Sequence, residues 1–340
     1  MHNPHRMNRY HHKLDEEVWR LLRLTSRTFY LSIRQLPGLA GDALCLAYLM
    51  LRVSDYLEDN RVMTGDEKFT ALNLWHQVIT GKAQNQDVLA LLPQEDPSEN
   101  RDLTAARAIS LILDDLASIP PALQHRIIQH VGDSTLGMAR WVKRGPDFRD
   151  ENDLDDYMHE VAGRVGYLST EIFAWQYPAI QSRLPSLMAV ARETGLALQT
   201  VNIIRGLHSD YERGWIYVPS SFCAAYNITP GNLFEPACQT QAMLVVDLMV
   251  QKAQKHLGKA LEYVRILPPW LHRLRLACIW PLLFATRTLA VSHRNLAVLL
   301  GEVKITRGEV KRIILDSTVL GWSNIWLDNY IQKLQKQPQA

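Results

Sequence analysis

From Leu14 to Leu315 the apolar residues of this chain recur at helical spacing, and no convincing alternating strand interrupts them. The spacing predicts helices over 14–35, 41–59, 66–80, 102–117, 121–142, 154–176, 184–211, 241–264, 270–300 and 307–315. Prolines at Ser118-Ile-Pro-Pro121, Pro178, Pro268-Pro269 and Pro230 punctuate them as turns or first-turn residues, and the polar run 94–101 reads as an exposed loop. No fixed-period repeat is visible, so a solenoid is disfavoured. With 340 residues, the expectation is an all-α single domain, a helical bundle with polar groups projecting into a central cavity. It spans 14–330, between a flexible tail over 1–13 and a second tail over 331–340.

Composition narrows the partners. There are 37 basic and 35 acidic residues, net +2, and no dense basic tract, so nucleic acid is not expected. The uncharged run 276–286, bounded by Arg275 and Arg287, is far short of the roughly 20 residues needed to span a bilayer and reads as a core helix. The first twelve residues lack the apolar stretch of a secretory signal. Cys45, Cys223, Cys238 and Cys278 lack metal-ligand spacing and read as reduced thiols. A cytoplasmic protein is expected, and peripheral membrane association would leave little trace in composition.

Asp55 and Asp59, in Leu51-Arg-Val-Ser-Asp-Tyr-Leu-Glu-Asp59, are the chemically informative pair. On a helix, residues four apart share a face, and like charges there cost about 0.2 to 0.5 kcal/mol, more when partly buried. Most neighbours are apolar, with Arg52 one turn away as a local partner, so the pair asks for a cation. A second polar stripe, Gln199, Asn202, Arg205 and Asp210, runs through an apolar helical stretch. Asn202 and Asp210 are separated by about 80° around that helix and about 12 Å along it, so both can face a shared cavity. Two oxygen-bearing stripes suit Mg²⁺, which completes its shell with water and substrate phosphate. Arg27, Arg52, Arg205, Lys304 and Arg307 are available for that phosphate. No Walker loop is present, which argues against a nucleotide phosphate.

Six segments in order carry a resemblance: Ser26-Arg-Thr-Phe-Tyr30, Tyr48 through Asp59, Gly137-Met-Ala139, Tyr157-Met-His-Glu-Val-Ala-Gly-Arg-Val-Gly166, Gln199-Thr-Val-Asn-Ile-Ile-Arg205 and Arg213-Gly-Trp-Ile-Tyr-Val-Pro219. The chain resembles the squalene/phytoene synthase family from about Ser26 to the region of Lys304. The resemblance implies an all-α isoprenoid synthase fold binding Mg²⁺ and allylic prenyl diphosphates. It implies metal ligands at Asp55, Asp59, Asn202 and Asp210, and diphosphate contacts from Ser26, Arg27, Tyr48, Arg52, Gln199 and Arg205. Tyr157 falls where the family has a tyrosine near the reacting carbons, able to stabilise a cation or move a proton. The chain also departs from the family: where its second acidic motif has Asp, Glu and Asp, this sequence has Gly206, Ser209 and Asp210. The spacing Asn202, Gly206, Asp210 is weakly similar to the metal triad of class I terpene cyclases. Three outcomes therefore stay open: head-to-head condensation, cyclisation of a single prenyl diphosphate, and transfer to another acceptor such as an aromatic ring. Substrate chain length, a need for NADPH and the oligomeric state are not fixed by the sequence.

Overall fold

The computed structural model describes residues 14–93 and 100–336. Its helices are α1 (Glu16–Thr25), α2 (Arg27–Ile33), α3 (Leu39–Asp59), α4 (Gly65–Ile79), α5 (Asn85–Leu89), α6 (Arg101–Arg107), α7 (Ile109–Ser118), α8 (Pro121–Arg144), α9 (Glu151–Met158), α10 (Arg164–Gln176), α11 (Pro178–Gln181), α12 (Leu184–Glu212), α13 (Ser220–Ala224), α14 (Gln239–Ile266), α15 (His272–Ser292), α16 (Arg307–Leu320) and α17 (Asn324–Gln335). Among the described residues there is no strand, so the all-α expectation holds.

Several expected helices are divided, and each break has a local cause. The helix expected over 14–35 splits at Ser26, which ends α1 and caps α2 by accepting from the Phe29 amide at 3.1 Å. The helix expected over 154–176 contains a π turn, His159–Gly163, which widens the backbone between α9 and α10. The helix expected over 270–300 stops at Ser292, and Arg294 follows with φ of 55°. α17 has no counterpart among the helices that the spacing predicts. It carries buried Leu327, Tyr330 and Ile331 at helical spacing and runs five residues into the stretch expected to be a tail. Residues 1–13 lie outside the described residues.

Two apolar clusters form the interior. One gathers residues of α1 to α8, α10, the first half of α12 and the start of α15, the other residues of α9, the second half of α12 and α14 to α17, and Val161 and Cys278 pack against both. α12 lies so close to α10 that a Cβ at Gly166 would sit 2.0 Å from the Ala191 carbonyl oxygen, and one at Gly195 would sit 2.2 Å from that of Ala162. Glycine is therefore required at both positions, and this contact fixes α12 against the segment carrying Tyr157. α15 is long and apolar enough to cross a membrane by length and composition alone, yet most of it is buried in the fold. Its Arg275 is fully buried and donates to the carbonyls of Val264, Leu267 and Gly321 and to Asn324 Oδ1, so one guanidinium serves the end of α14 and the start of α17.

Candidate active site

The last turns of α3 and α12 meet through Arg213, just beyond the end of α12. Its guanidinium reaches Asp59 at 2.5 Å through Nη1 and Asp210 at 2.5 Å through Nη2. The acidic groups of the two helices thus share one cation, and both carboxylates hold the Arg213 guanidinium in its charged form, raising its pKa. One turn earlier on α3, Asp55 pairs with Arg52 at 2.8 Å, and Arg52 also donates from Nε to Asp102 of α6 at 3.2 Å. Burial, with Asp59 and Asp102 nearby, pushes the Asp55 carboxyl up to about 6. Asp210 is raised too, chiefly by burial.

Glu58, between the two aspartates, is a site residue that the sequence pattern does not single out. It is 5% exposed, its Oε1 has no hydrogen-bond partner, and burial together with Asp59 and Asp55 drives its carboxyl well above the ordinary range. A buried carboxylate with an orphaned oxygen is costly unless a cation or donor reaches it. Asp55, Glu58 and Asp59 are therefore a hard oxygen donor set short of positive charge, which fits Mg²⁺. Among the described residues no group of three or more carboxylate, imidazole or thiol side chains is already gathered into a metal cage.

On α12, Asn202 is exposed, Gln199 is half-buried and Asp210 is buried. Gly206 lies between them with room beside it: a Cβ there would be 3.5 Å from Ser209 Oγ and 3.6 Å from Asp210 Oδ2, both ordinary contacts. Arg205 approaches Glu302 at 3.4 Å, and Lys304 forms an ion pair with the same carboxylate. Glu302 thereby brings together two of the cations the sequence assigned to phosphate. Midway along α3, Tyr48 packs against Phe29 with ring centres 5.6 Å apart. Arg27 opens α2, and its side chain lies outside the described residues.

Tyr157 is 3% exposed and donates its hydroxyl proton to Tyr217 at 3.2 Å. The two rings stack with centres 4.9 Å apart, Trp215 stacks on Tyr217 at 5.6 Å, and Trp141 and Phe148 meet Tyr157 edge-on. Burial and the nearby Glu58 push both phenols well above their ordinary range, so they stay protonated. Next to the acidic groups, then, lies an aromatic layer able to stabilise positive charge through ring faces. Trp141 and Phe148 leave no signal in the sequence, because they come from α8 and the segment before α9, whereas Trp215 and Tyr217 lie in one of the six segments that carry the resemblance. Glu160, Gly163 and Gly166 of the Tyr157 motif serve packing instead. Glu160 pairs with Arg164 at 2.5 Å and Arg140 at 3.2 Å, and a Cβ at Gly137 would collide with its carboxyl group.

The chain resembles curated proteins and solved structures along most of its length. It is 27% identical over 307 residues to a squalene synthase of Schizosaccharomyces pombe, an alignment covering 89% of this chain and 65% of that protein. It is 27% identical over 316 residues to a squalene synthase of Homo sapiens, covering 88% of this chain and 69% of that one. The chain thus spans about two thirds of the length of these relatives. A solved structure of TcSQS in complex with a ligand superposes with a TM-score of 0.81 at 24% identity, covering 96% of this chain and 93% of that one, and shares its fold. The sequence profile of squalene/phytoene synthases matches residues 22–309, and the chain belongs to that family.

Proposed function

We propose that this protein is a prenyltransferase of the squalene/phytoene synthase type that ionises an allylic prenyl diphosphate, farnesyl or geranylgeranyl, and joins two such molecules head to head. The observation that carries this reading is the meeting of Asp55, Glu58 and Asp59 with Asp210 beside the buried Tyr157, Tyr217 and Trp215 layer. Asp55, Glu58, Asp59, Asn202 and Asp210 would hold Mg²⁺. When bound, that ion neutralises the diphosphate leaving group.

The other residues divide the remaining work. Arg52, pinned by Asp55 and Asp102, presents a fixed guanidinium to the phosphate oxygens, and Arg205 and Lys304 approach from the α12 side. Ser26, Arg27, Tyr48 and Gln199 complete the phosphate contacts. The aromatic layer excludes water from the carbocation, and the Tyr157 ring stabilises it. The phenol is held by Tyr217 and kept protonated, which favours the ring over proton transfer. A squalene-like product requires a hydride donor such as NADPH, whereas a phytoene-like product forms by proton loss.

Gly206 supports a second reading, a class I cyclase acting on one prenyl diphosphate, since with Gly206 and Ser209 the α12 side offers two carboxylates fewer than the family motif. A cytoplasmic location with peripheral contact to a bilayer accompanies either reading. It is supported by the exposed Leu315, Val319, Trp322 and Ile325 around the α16–α17 turn. The test is incubation with Mg²⁺ and farnesyl or geranylgeranyl diphosphate, with and without NADPH, followed by mass analysis of the hexane extract. A C30 or C40 hydrocarbon is the expected product. A C15 or C20 hydrocarbon or alcohol would replace condensation with cyclisation, and pyrophosphate release with neither would point to another acceptor.

A further inference from the structure

Residues 302–306, between the turn Leu296–Leu299 and α16, alternate in exposure. Glu302 and Lys304 are exposed, Val303 is buried in the second apolar cluster, and Ile305 packs against that cluster. Such alternation marks an extended segment and sets Glu302 and Lys304 on one side of it. Both ends are anchored: the turn before it packs on α12, and Thr306 closes a capping box with Glu309. The segment therefore holds Glu302 beside Arg205 of α12. One carboxylate oxygen, Oε1, lies 3.4 Å from Arg205 Nε, and the other, Oε2, pairs with Lys304 Nζ.

The Glu302 carboxylate sits differently from the two that hold Arg52. Arg52 is largely buried and has Asp55 and Asp102 to itself, so it is pinned. Arg205 and Lys304 share one carboxylate, and all three side chains are about a third exposed or more. At 3.4 Å, moreover, Arg205 Nε is within ion-pair reach of Glu302 but makes no hydrogen bond. Exposed ion pairs of this kind contribute little to stability. A diphosphate carries more negative charge and more acceptor oxygens than one carboxylate, so it displaces Glu302 from both cations. The displaced carboxylate turns into water and keeps its solvation.

We infer that Glu302 sets the affinity of the site for diphosphate by competing with it for Arg205 and Lys304. It yields the two cations when a diphosphate enters and reclaims them when pyrophosphate leaves. This role rests on the proposed function, which gives those cations to a prenyl diphosphate.

Calorimetric titration of the full chain with inorganic pyrophosphate, at one fixed Mg²⁺ concentration, tests the competition without turnover. Glu302→Gln should bind pyrophosphate about fivefold more tightly, the ratio to which two exposed ion pairs convert, with an unchanged thermal midpoint. Glu262→Gln, which removes the same charge from the exposed Lys259 pair on α14, should leave the affinity unchanged. In an Arg205→Gln background the gain from Glu302→Gln should shrink to about twofold, because only the Lys304 pair is left to release. Weaker binding in Glu302→Gln overturns the competition and makes Glu302 a residue that orients the two cations. Unchanged binding, an equal gain in Glu262→Gln, or an undiminished gain in the Arg205→Gln background overturns it as well. If Glu302→Gln tightens pyrophosphate binding in a protein that makes no C30 or C40 product, condensation fails and the competition stands. If neither Arg205→Gln nor Lys304→Gln weakens pyrophosphate binding, both cations lose their phosphate role and the competition falls with it.

Discussion

The two helices that face each other across Arg213 are unequal. α3 brings three acidic groups within two turns, two of them buried enough to have raised pKa values, whereas the end of α12 brings one, with an open glycine where a further acid would fit. The α3 side thus stores repulsion that a cation relieves, while the α12 side is nearly neutralised by Arg213 alone. The comparison teaches that a cation-binding site can be assembled asymmetrically, with one helix supplying most of the charge and the other mainly completing the geometry.

The largest effect should come from the crowded side. Asp55→Ala is expected to reduce Mg²⁺-dependent pyrophosphate release about 1,000-fold, with no fall in thermal midpoint because it removes a half-buried carboxylate whose charged form is disfavoured by burial and by Asp59. A variant that stays active, or one that unfolds, would remove Asp55 from the metal set. The pH dependence tests the same penalty. With its folded pKa near 6, above the usual carboxylate value, Asp55 binds more protons folded than unfolded between about pH 4 and 6. Its contribution to stability therefore grows as pH falls through 6, opposite to that of a salt-bridged aspartate. Asp55→Asn should flatten this part of the stability profile, as read by denaturant melts across that range.

Arg213 is the link between the two sides, and Arg213→Gln separates them. Losing two charge-assisted contacts should cost about 2 kcal/mol without metal, read as a lower midpoint of unfolding. Asp59 and Asp210, freed of their guanidinium, should then bind Mg²⁺ more tightly in titration. A loss of stability with weaker metal binding would mean that Arg213 orients the ligands and does not compete for them.

The parts of this arrangement are unequally legible in the sequence. The spacing of Asp55 and Asp59 is a property of one helix, so residue order alone displays it. The helix-to-helix contact is not local in this way: Arg213 lies on the chain next to a glycine turn, and only the fold brings Asp59 to it. Glu58 stands in plain sight between the aspartates, but charge and spacing cannot tell a buried acid from an exposed one. α17 is missing from the predicted helices although Leu327, Tyr330, Ile331 and Leu334 carry helical spacing with Ile325 and Trp326 beside them, so its signal is present in the residue order. The family resemblance points to Tyr157 and to the segment holding Trp215 and Tyr217, and the structure brings the two together and adds Trp141 and Phe148.

Those neighbours separate the two uses of Tyr157. Because its phenol donates to Tyr217 and is kept protonated by burial, Tyr157→Phe should retain turnover within about tenfold, whereas Tyr157→Leu should lose about 100-fold by removing the ring face. Steady-state rates on the prenyl diphosphate decide it, and equal losses in the two variants would return the role to the hydroxyl.

The smallest effect belongs to the thin side. A glycine inside α12 costs about 1 kcal/mol against alanine, and a methyl group at 206 meets Ser209 and Asp210 only at ordinary contact distance. Gly206→Ala should therefore raise stability by about 1 kcal/mol, read as an upward shift of the midpoint with unchanged secondary structure. If the space beside Gly206 is occupied by a water or a substrate atom during the reaction, the same variant should slow pyrophosphate release while stabilising the fold. Unchanged release would make the glycine a simple loss of a ligand. Gly206→Asp then sharpens the comparison by adding an acid next to Asp210. It should tighten Mg²⁺ binding and raise the yield of C30 or C40 product if the asymmetry is decay, and should lose a native cyclic product if the pocket has been turned to another use.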